Sequence, residues 1–189
     1  MKLHALIGLI LLPSSFLFSA PPSPQLKHEV FRASSGDRFS LELPSAWSVD
    51  TQVGAGLGIN TLRILNTEGT GVLMISAIPG KESAAETLDQ LEQILRTSVR
   101  ALAEDSVEHE VRTLSFSSKT SFGVYATLTD SRRLGQKLGT GEYRFSTTFV
   151  LNCSKRIVTV TFLNNEEPFD SVELVIMILK TLQREEGHS

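Results

Sequence analysis

The chain has 189 residues, of which 41% are hydrophobic and 21% charged, and its formal net charge is −3. This length and balance are those of one folded domain with its own core, and they argue against a disordered chain. The slightly acidic balance, without any run of Lys or Arg, argues against a nucleic-acid-binding protein, because phosphate binding needs clustered positive charge.

Residues 1–20 have the order of a secretory signal peptide. Lys2 provides a positive start, an apolar run over 5–12 follows, and small residues precede Pro21. This order predicts an exported protein, periplasmic or secreted. Phe18 and Pro21 both fit a signal peptidase site after Ala20 poorly, so an uncleaved N-terminal membrane tether is the second interpretation. No later stretch reaches the roughly 20 apolar residues of a spanning helix, so no membrane span is predicted after the signal.

Residues 21–27 are predicted to be an extended linker, because three prolines in four positions exclude a helix or a central strand. Residues 28–184 follow as a single predicted domain, and residues 185–189 as a C-terminal tail. In the first half of the domain, apolar and polar residues alternate in short runs, which indicates half-buried strands. A glycine-rich stretch over 51–58 predicts a loop. Strands are predicted over 28–33, 38–43, 59–66 and 71–78, the last two as a hairpin.

The hydrophobic period then changes from two to 3.6 residues, which predicts a helix over 83–104. Ser83 and Glu86 match the S-x-x-E capping box that satisfies free amides at a helix start. The buried stripe of this helix is predicted from leucines at helical spacing, namely Leu88, Leu91, Leu95 and Leu102.

Alternation returns after this helix and predicts strands over 106–117, 122–128, 143–152 and 156–163. A second helix is predicted to open within residues 164–168, with Asn165 as its candidate cap and Pro168 in its first turn. Its predicted buried stripe is Phe169, Val172, Ile176, Leu179 and Leu182. The order of strands, helix, strands and helix lacks βαβ repeats, so we expect an α+β fold with a largely antiparallel sheet flanked by two main helices.

The segment from Phe39 to Trp47 carries a family resemblance. It contains Leu-x-Leu-Pro, followed by a small residue, Ala46 and Trp47. The predicted hairpin, long helix, strands and closing helix come after this segment in the chain. With this plan the chain resembles the PsbP/Mog-like superfamily over residues 28–184, although that family often has Gly where Ala46 stands. Its members include photosystem accessory proteins, a nuclear-transport GTPase partner and bacterial envelope proteins. The resemblance implies a non-enzymatic binding or accessory role, and it assigns no ligand residue.

The sequence indicates no catalytic residue, metal site or cofactor. There is no G-x-S-x-G motif, and the glycines over 54–58 lack the Lys-Ser/Thr of a phosphate loop. In the predicted strand, His109 points away from Glu108 and Glu110, so these three could not share a metal. Cys153 is the one cysteine, so the chain has no internal disulfide, and it is predicted to be buried and inert.

Four residues are candidates for contact with a ligand or partner. Trp47 is the only tryptophan and is predicted to pack the sheet onto a helix, with ligand stacking as its second role. Gly56 lies in the loop that could border a ligand cleft. Arg132 and Arg133 form the most basic loop, interpreted as a solvated turn rather than an anion site.

These observations predict an exported, non-enzymatic accessory or binding domain of the cell envelope, with an envelope protein as partner and no nucleic acid. One alternative is a carrier of a small apolar ligand, which requires a pocket of roughly 300 Å³ or more between sheet and helix. Another is a hydrolase of unrecognised type that uses His109 or Cys153, which requires these two side chains to meet in a cleft.

Overall fold

Two β-sheets and two helices build the part of the chain that the structure describes. The structure is a computed structural model that describes residues 25–33, 36–53, 60–78 and 85–185, and the side chains of 51–53 are not described. The strands are β1 (Leu26–Arg32), β2 (Arg38–Pro44), β3 (Ser48–Val53), β4 (Asn60–Leu65), β5 (Gly71–Ala77), β6 (Leu114–Ser117), β7 (Ser121–Thr129), β8 (Phe145–Cys153), β9 (Arg156–Asn164) and β10 (Gln183–Glu185). The helices are α1 (Leu88–Glu104) and α2 (Pro168–Lys180), and a 3-10 turn covers Ser131–Arg133.

The larger sheet has seven strands in the order β3-β4-β5-β9-β8-β7-β6, and the smaller has three in the order β1-β2-β10. All neighbouring strands in both sheets run antiparallel. The predicted α+β class, with a largely antiparallel sheet and two main helices, is therefore confirmed. The hairpin predicted over 59–66 and 71–78 is present as β4 and β5.

The seven-stranded sheet carries a separate core on each face. The α1 core joins α1 to one face, and its fully or nearly buried members include Leu91, Leu95, Val124 and Val150. The α2 core joins α2 and the three-stranded sheet to the other face, and Phe39 of β2 is one of its fully buried members. Successive side chains of a strand point to opposite faces, so the two cores share the same strands.

The start and the buried stripe of the first helix differ from the prediction. Ser83 lies outside the described residues, and Glu86 precedes the helix. The cap is Thr87, whose hydroxyl accepts from the Gln90 N–H while the Gln90 side chain accepts from the Thr87 N–H. The buried stripe is Leu91, Leu95, Val99 and Ala103, whereas Leu88 and Leu102 are exposed at its edges.

The strand predicted over 106–117 is wrong for its first eight residues, since β6 begins at Leu114. His109 has a φ of 55°, a left-handed conformation that a strand cannot contain. The Ser106 hydroxyl donates to the Ala103 carbonyl and accepts from the His109 N–H, which turns the chain after α1. The Glu108 carboxylate accepts from both the N–H and the hydroxyl of Thr129.

The second helix also begins differently from the prediction. Asn165 does not cap it, because its side chain accepts from the Arg144 N–H and donates to the Glu142 carbonyl instead. The cap position is Glu167, which makes no side-chain capping bond, and Pro168 is the first helical residue. Phe169 was expected in the buried stripe but is 73% exposed. The stripe is Val172, Val175, Ile178 and Leu179.

Smaller boundary differences occur elsewhere. The first described strand begins at Leu26, so the predicted linker over 21–27 does not extend to Lys27. Tyr143 precedes β8 rather than lying within it. Cross-strand pairing, such as that of Leu26 with Pro44, sets where β1 begins.

Asp37 links the two sheets through a pair of arginines. Its carboxylate lies 2.8 Å from Nε of Arg156 on β9 and 2.7 Å from a terminal nitrogen of Arg184 on β10. The side chain of Asp37 is only 9% exposed. Removing this carboxylate would leave two partly buried cations without their anion, which is strongly destabilising.

We therefore expect Asp37→Asn to lower the free energy of unfolding by about 3 kcal/mol, measured by urea denaturation. Glu110→Gln is the matched control, because the Glu110–Arg112 pair is largely exposed and screened by water. A loss for Asp37→Asn no larger than that for Glu110→Gln would contradict a structural role for the Asp37 pairs.

Candidate functional site

A cleft of about 400 Å³ opens beside the C-terminal end of α1. We call it the α1 cleft. Its floor is a row of cross-strand partners, Leu128 on β7, Ser146 on β8 and Leu163 on β9, with Thr161 beside them. These side chains share the sheet face that carries the α1 core. The floor is open because α1 packs on β7 and β8, and ends beside the cleft.

The apolar part of the α1 cleft continues onto α1 itself. Leu102 lines it and is 53% exposed, although it lies next to the buried Ala103. Leu102 and the leucines of the floor therefore present apolar surface to the cleft. The hydroxyls of Ser146 and Thr161 add polar atoms to the same surface.

Two of the arginines at the rim are bound by acidic side chains. The Asp130 carboxylate accepts from the Arg132 N–H at 3.0 Å and lies 3.2 Å and 3.0 Å from Nε of Arg132 and Arg133. A terminal nitrogen of Arg133 also lies 3.1 Å from the Glu142 carboxylate. Burial acts to raise the pKa of Asp130, but the Arg132 amide and the two guanidinium groups lower it below its ordinary value.

Arg144 lines the same cleft in a different electrostatic setting. One terminal nitrogen donates to the Gln136 carbonyl at 3.3 Å, and the buried Nε has no hydrogen-bond partner. Within the part of the chain that the structure describes, no carboxylate forms an ion pair with Arg144. Sequence reasoning missed Arg144, because a single cation between two aromatic residues carries no motif.

Trp47 lies at a second, smaller cavity of about 200 Å³, between the sheet and the start of α2. It is half-buried and packs against the α2 core, beside Phe162 and Leu174. Polar groups around it bind one another, since the Thr70 hydroxyl donates to Glu166 and the Asn164 amide donates to the Ser171 hydroxyl. Packing at the border of sheet and helix is what the sequence predicts for Trp47, and a stacking role stays a prediction.

Gly56 lies outside the described residues, so its predicted place beside a cleft stays a prediction. Arg132 and Arg133 do come together at the rim of the α1 cleft, while Trp47 lines the other cavity. The four candidate residues from the sequence thus do not form one site.

His109 and Cys153 lie at opposite ends of the seven-stranded sheet. Glu108 binds Thr129, which pairs with Phe145 at the first end of β8, whereas Cys153 is the last residue of that strand. Eight residues of extended chain separate the two ends by roughly 26 Å. The meeting of His109 and Cys153 that the hydrolase alternative requires is therefore absent. The described residues also contain no group of three His, Cys, Asp or Glu side chains placed to bind a metal.

Cys153 is fully buried in the α2 core, as the sequence predicts. Its Sγ–H donates to the Leu182 carbonyl at 3.5 Å. Burial raises the pKa of its thiol to about 11, because the backbone hydrogen bond and the positive charge of Arg184 offset only part of the loss of water around a thiolate.

At pH 8 the Cys153 thiol is therefore protonated as well as enclosed. We expect no reaction of the folded protein with Ellman's reagent at pH 8, and reaction of one thiol per chain after unfolding in guanidinium chloride. Cys153→Ser is the blank and should react in neither condition. Rapid reaction of the folded protein would show an accessible thiolate and contradict the inert role.

Neither of the two described helices is long and apolar enough to cross a lipid bilayer. This finding covers the described residues.

Comparison with known proteins returned structural likenesses only. No protein-family model and no curated protein matches the chain. It is similar to the solution structure of cyanobacterial PsbP (CyanoP) from Synechocystis sp. PCC 6803, with 13% identity, a TM-score of 0.49, and coverage of 89% of this chain and 99% of that chain. A crystal structure from Bacteroides thetaiotaomicron VPI-5482 is similar with 13% identity and a TM-score of 0.44, over 80% of this chain and 46% of that one.

A PsbP protein is therefore among the solved structures that this chain resembles. The likeness concerns the course of the backbone, and it assigns neither a ligand nor a partner to this chain.

Proposed function

We propose that this protein is an exported, non-enzymatic binding domain that carries a small, partly apolar ligand in the α1 cleft. The observation that carries the proposal is the open floor of Leu128, Ser146 and Leu163 beyond the end of α1. A cleft of about 400 Å³ lies within the size range of small-molecule sites and exceeds the 300 Å³ or so that a carrier requires.

The lining supports binding rather than catalysis. Three leucines supply apolar area, whose removal from water contributes about 25 cal/mol per Å². The hydroxyls of Ser146 and Thr161 can orient a polar group of the ligand, because each can donate or accept a hydrogen bond. The rim carboxylate of Asp130 is occupied by Arg132 and Arg133 and has a lowered pKa, so it is a poor general base.

The accessory role that the sequence resemblance implies extends this proposal to a protein partner. We propose that another protein of the cell envelope supplies or receives the ligand. The carrier hypothesis can be tested without that partner, because the α1 cleft is formed by one chain.

Filling the α1 cleft should abolish ligand binding. The floor residue Thr161 is half-buried and lines the cleft, so Thr161→Phe places a ring where the ligand would lie. We expect Nile red, a neutral apolar dye, to give saturable fluorescence with the unaltered protein, and Thr161→Phe to weaken its binding by about tenfold or more.

Thr159→Phe is the matched control for this experiment. Thr159 is half-buried on the same strand and the same face, two residues away, and does not line the cleft. We expect the control to retain the affinity of the unaltered protein. Equal loss in both variants, or no saturable binding to the unaltered protein, would contradict the carrier proposal.

The proposal that the protein is exported depends on residues 1–20 and is tested separately. We expect the full chain, expressed in a Gram-negative host, to be recovered from the periplasm without its N-terminal apolar segment, as measured by intact mass. The apolar run followed by small residues is the physical reason. Recovery in the membrane fraction with residues 1–20 retained would indicate the tethered form, and recovery in the cytoplasm would contradict export.

A further inference from the structure

Resting on the proposed carrier function, the geometry points to the chemical class of the ligand. We propose that the α1 cleft binds an amphipathic monoanion, whose carboxylate pairs with Arg144 and whose apolar chain lies along Leu102, Leu128 and Leu163. Three features of the cleft carry this assignment: the state of its arginines, its balance of charge, and the placement of its leucines.

The arginines of the cleft fall into two groups. Arg132 and Arg133 are both bound by Asp130, and Arg133 also by Glu142. Arg144 has no such carboxylate among the described residues, and its side chain makes one 3.3 Å hydrogen bond to a carbonyl. A guanidinium group presents donors in a planar fork that matches a carboxylate, so Arg144 is the group at this rim that can bind an added anion.

The balance of charge favours an anion with a single charge. The cleft is lined by three arginines and by two acids, Asp105 and Asp130. Asp130 is engaged by its two arginines, and Asp105 lies at the C-cap of α1. Glu142 pairs with Arg133 at the same rim, so the acids offset most of the positive charge, and Arg144 alone of the three arginines has no carboxylate contact among the described residues. A singly charged carboxylate suits this setting better than a doubly charged phosphate, which the neighbouring acids would repel more strongly.

The cleft is amphipathic because its leucines place apolar surface in the same lining as the cationic Arg144. The floor row of Leu128 and Leu163 lies beside the segment of Arg144, and Leu102 of α1 stands exposed across from it. An anion without an apolar chain would leave these leucines in water, so free inorganic anions would use only part of the site. A medium-chain fatty acid has the required combination of a carboxylate and an apolar chain.

The test compares decanoate with two probes that have the same chain and a different head group, decanol and decylamine. Binding is measured by methyl NMR titration, reading the leucine methyl signals of the full domain. We expect decanoate to bind at least about tenfold more tightly than decanol, and decylamine to bind most weakly. Decyl phosphate is a further probe and is expected to bind more weakly than decanoate.

Arg144→Met removes the charge and keeps an apolar side chain of similar length. We expect it to reduce the affinity for decanoate to about that for decanol, with a much smaller loss for decanol, because a neutral hydroxyl gains less from a guanidinium than a carboxylate does. The backbone bonds of Arg144 to Asn165 and Asp130 do not involve its side chain, so they are retained. Arg132→Met is the matched control and should change decanoate binding less than threefold or so, because this side chain is 74% exposed and bound to Asp130.

The outcomes separate the two proposals. Equal affinity for decanoate and decanol, or an equal loss of both in Arg144→Met, would overturn the carboxylate assignment while the carrier function stands. Shifts confined to the methyls of Leu102, Leu128 and Leu163 would support the cleft as the site. If no probe shifts these methyls, both the assignment and the carrier function fail. Should Arg144→Met not fold, Arg144→Lys keeps the charge and is expected to retain the preference for decanoate with reduced strength.

Discussion

The antiparallel pairing of β8 with its neighbours is the constraint on which the other layers depend. Along this strand Phe149 and Leu151 point into the α2 core, and Val150 between them points into the α1 core, and all three are fully buried. A shift of one residue in the register would exchange the two faces of the strand. Both helices and the three-stranded sheet are therefore positioned by the two ladders of backbone hydrogen bonds that β8 forms with β7 and β9.

The α1 cleft follows from the unequal cover of the two faces. The α2 face is covered by α2 together with the small sheet, which β2 joins through Leu41 and Leu43. The α1 face has a single described helix, which packs on β7 and β8. Thr161 and Leu163 of β9 remain half-buried beyond its end, so this face of the sheet can serve as a binding surface.

Charged side chains hold this arrangement at two places with different consequences. Asp37 joins the small sheet to β9 through nearly buried contacts, where an unpaired charge is costly. Asp130 instead organises the exposed turn at the rim of the cleft, where its bonds to Arg132 and Arg133 occupy two of the three cations. Arg144 is thus the arginine of this cleft that contributes charge without a carboxylate partner among the described residues.

The sequence by itself determined the fold class. Alternation identified β2, β4, β5, β7, β8 and β9, and a 3.6-residue period identified both helices. These signals are local, because each strand or helix buries one regular face. The pattern failed at His109, where a left-handed residue and the bonds of Ser106 break an alternating sequence. It also failed at Phe169, whose apolar side chain no neighbour covers in the described structure.

Only the tertiary structure decided the candidate site. Leu102, Leu128, Arg144 and Leu163 lie far apart in the sequence, and no motif links them. Their meeting depends on where α1 ends above the sheet and on the pairing of Leu128 with Ser146 and of Ser146 with Leu163. Composition and periodicity indicate which residues can be buried. An open cleft forms where the packing of a helix on the sheet ends, so it depends on how the layers assemble.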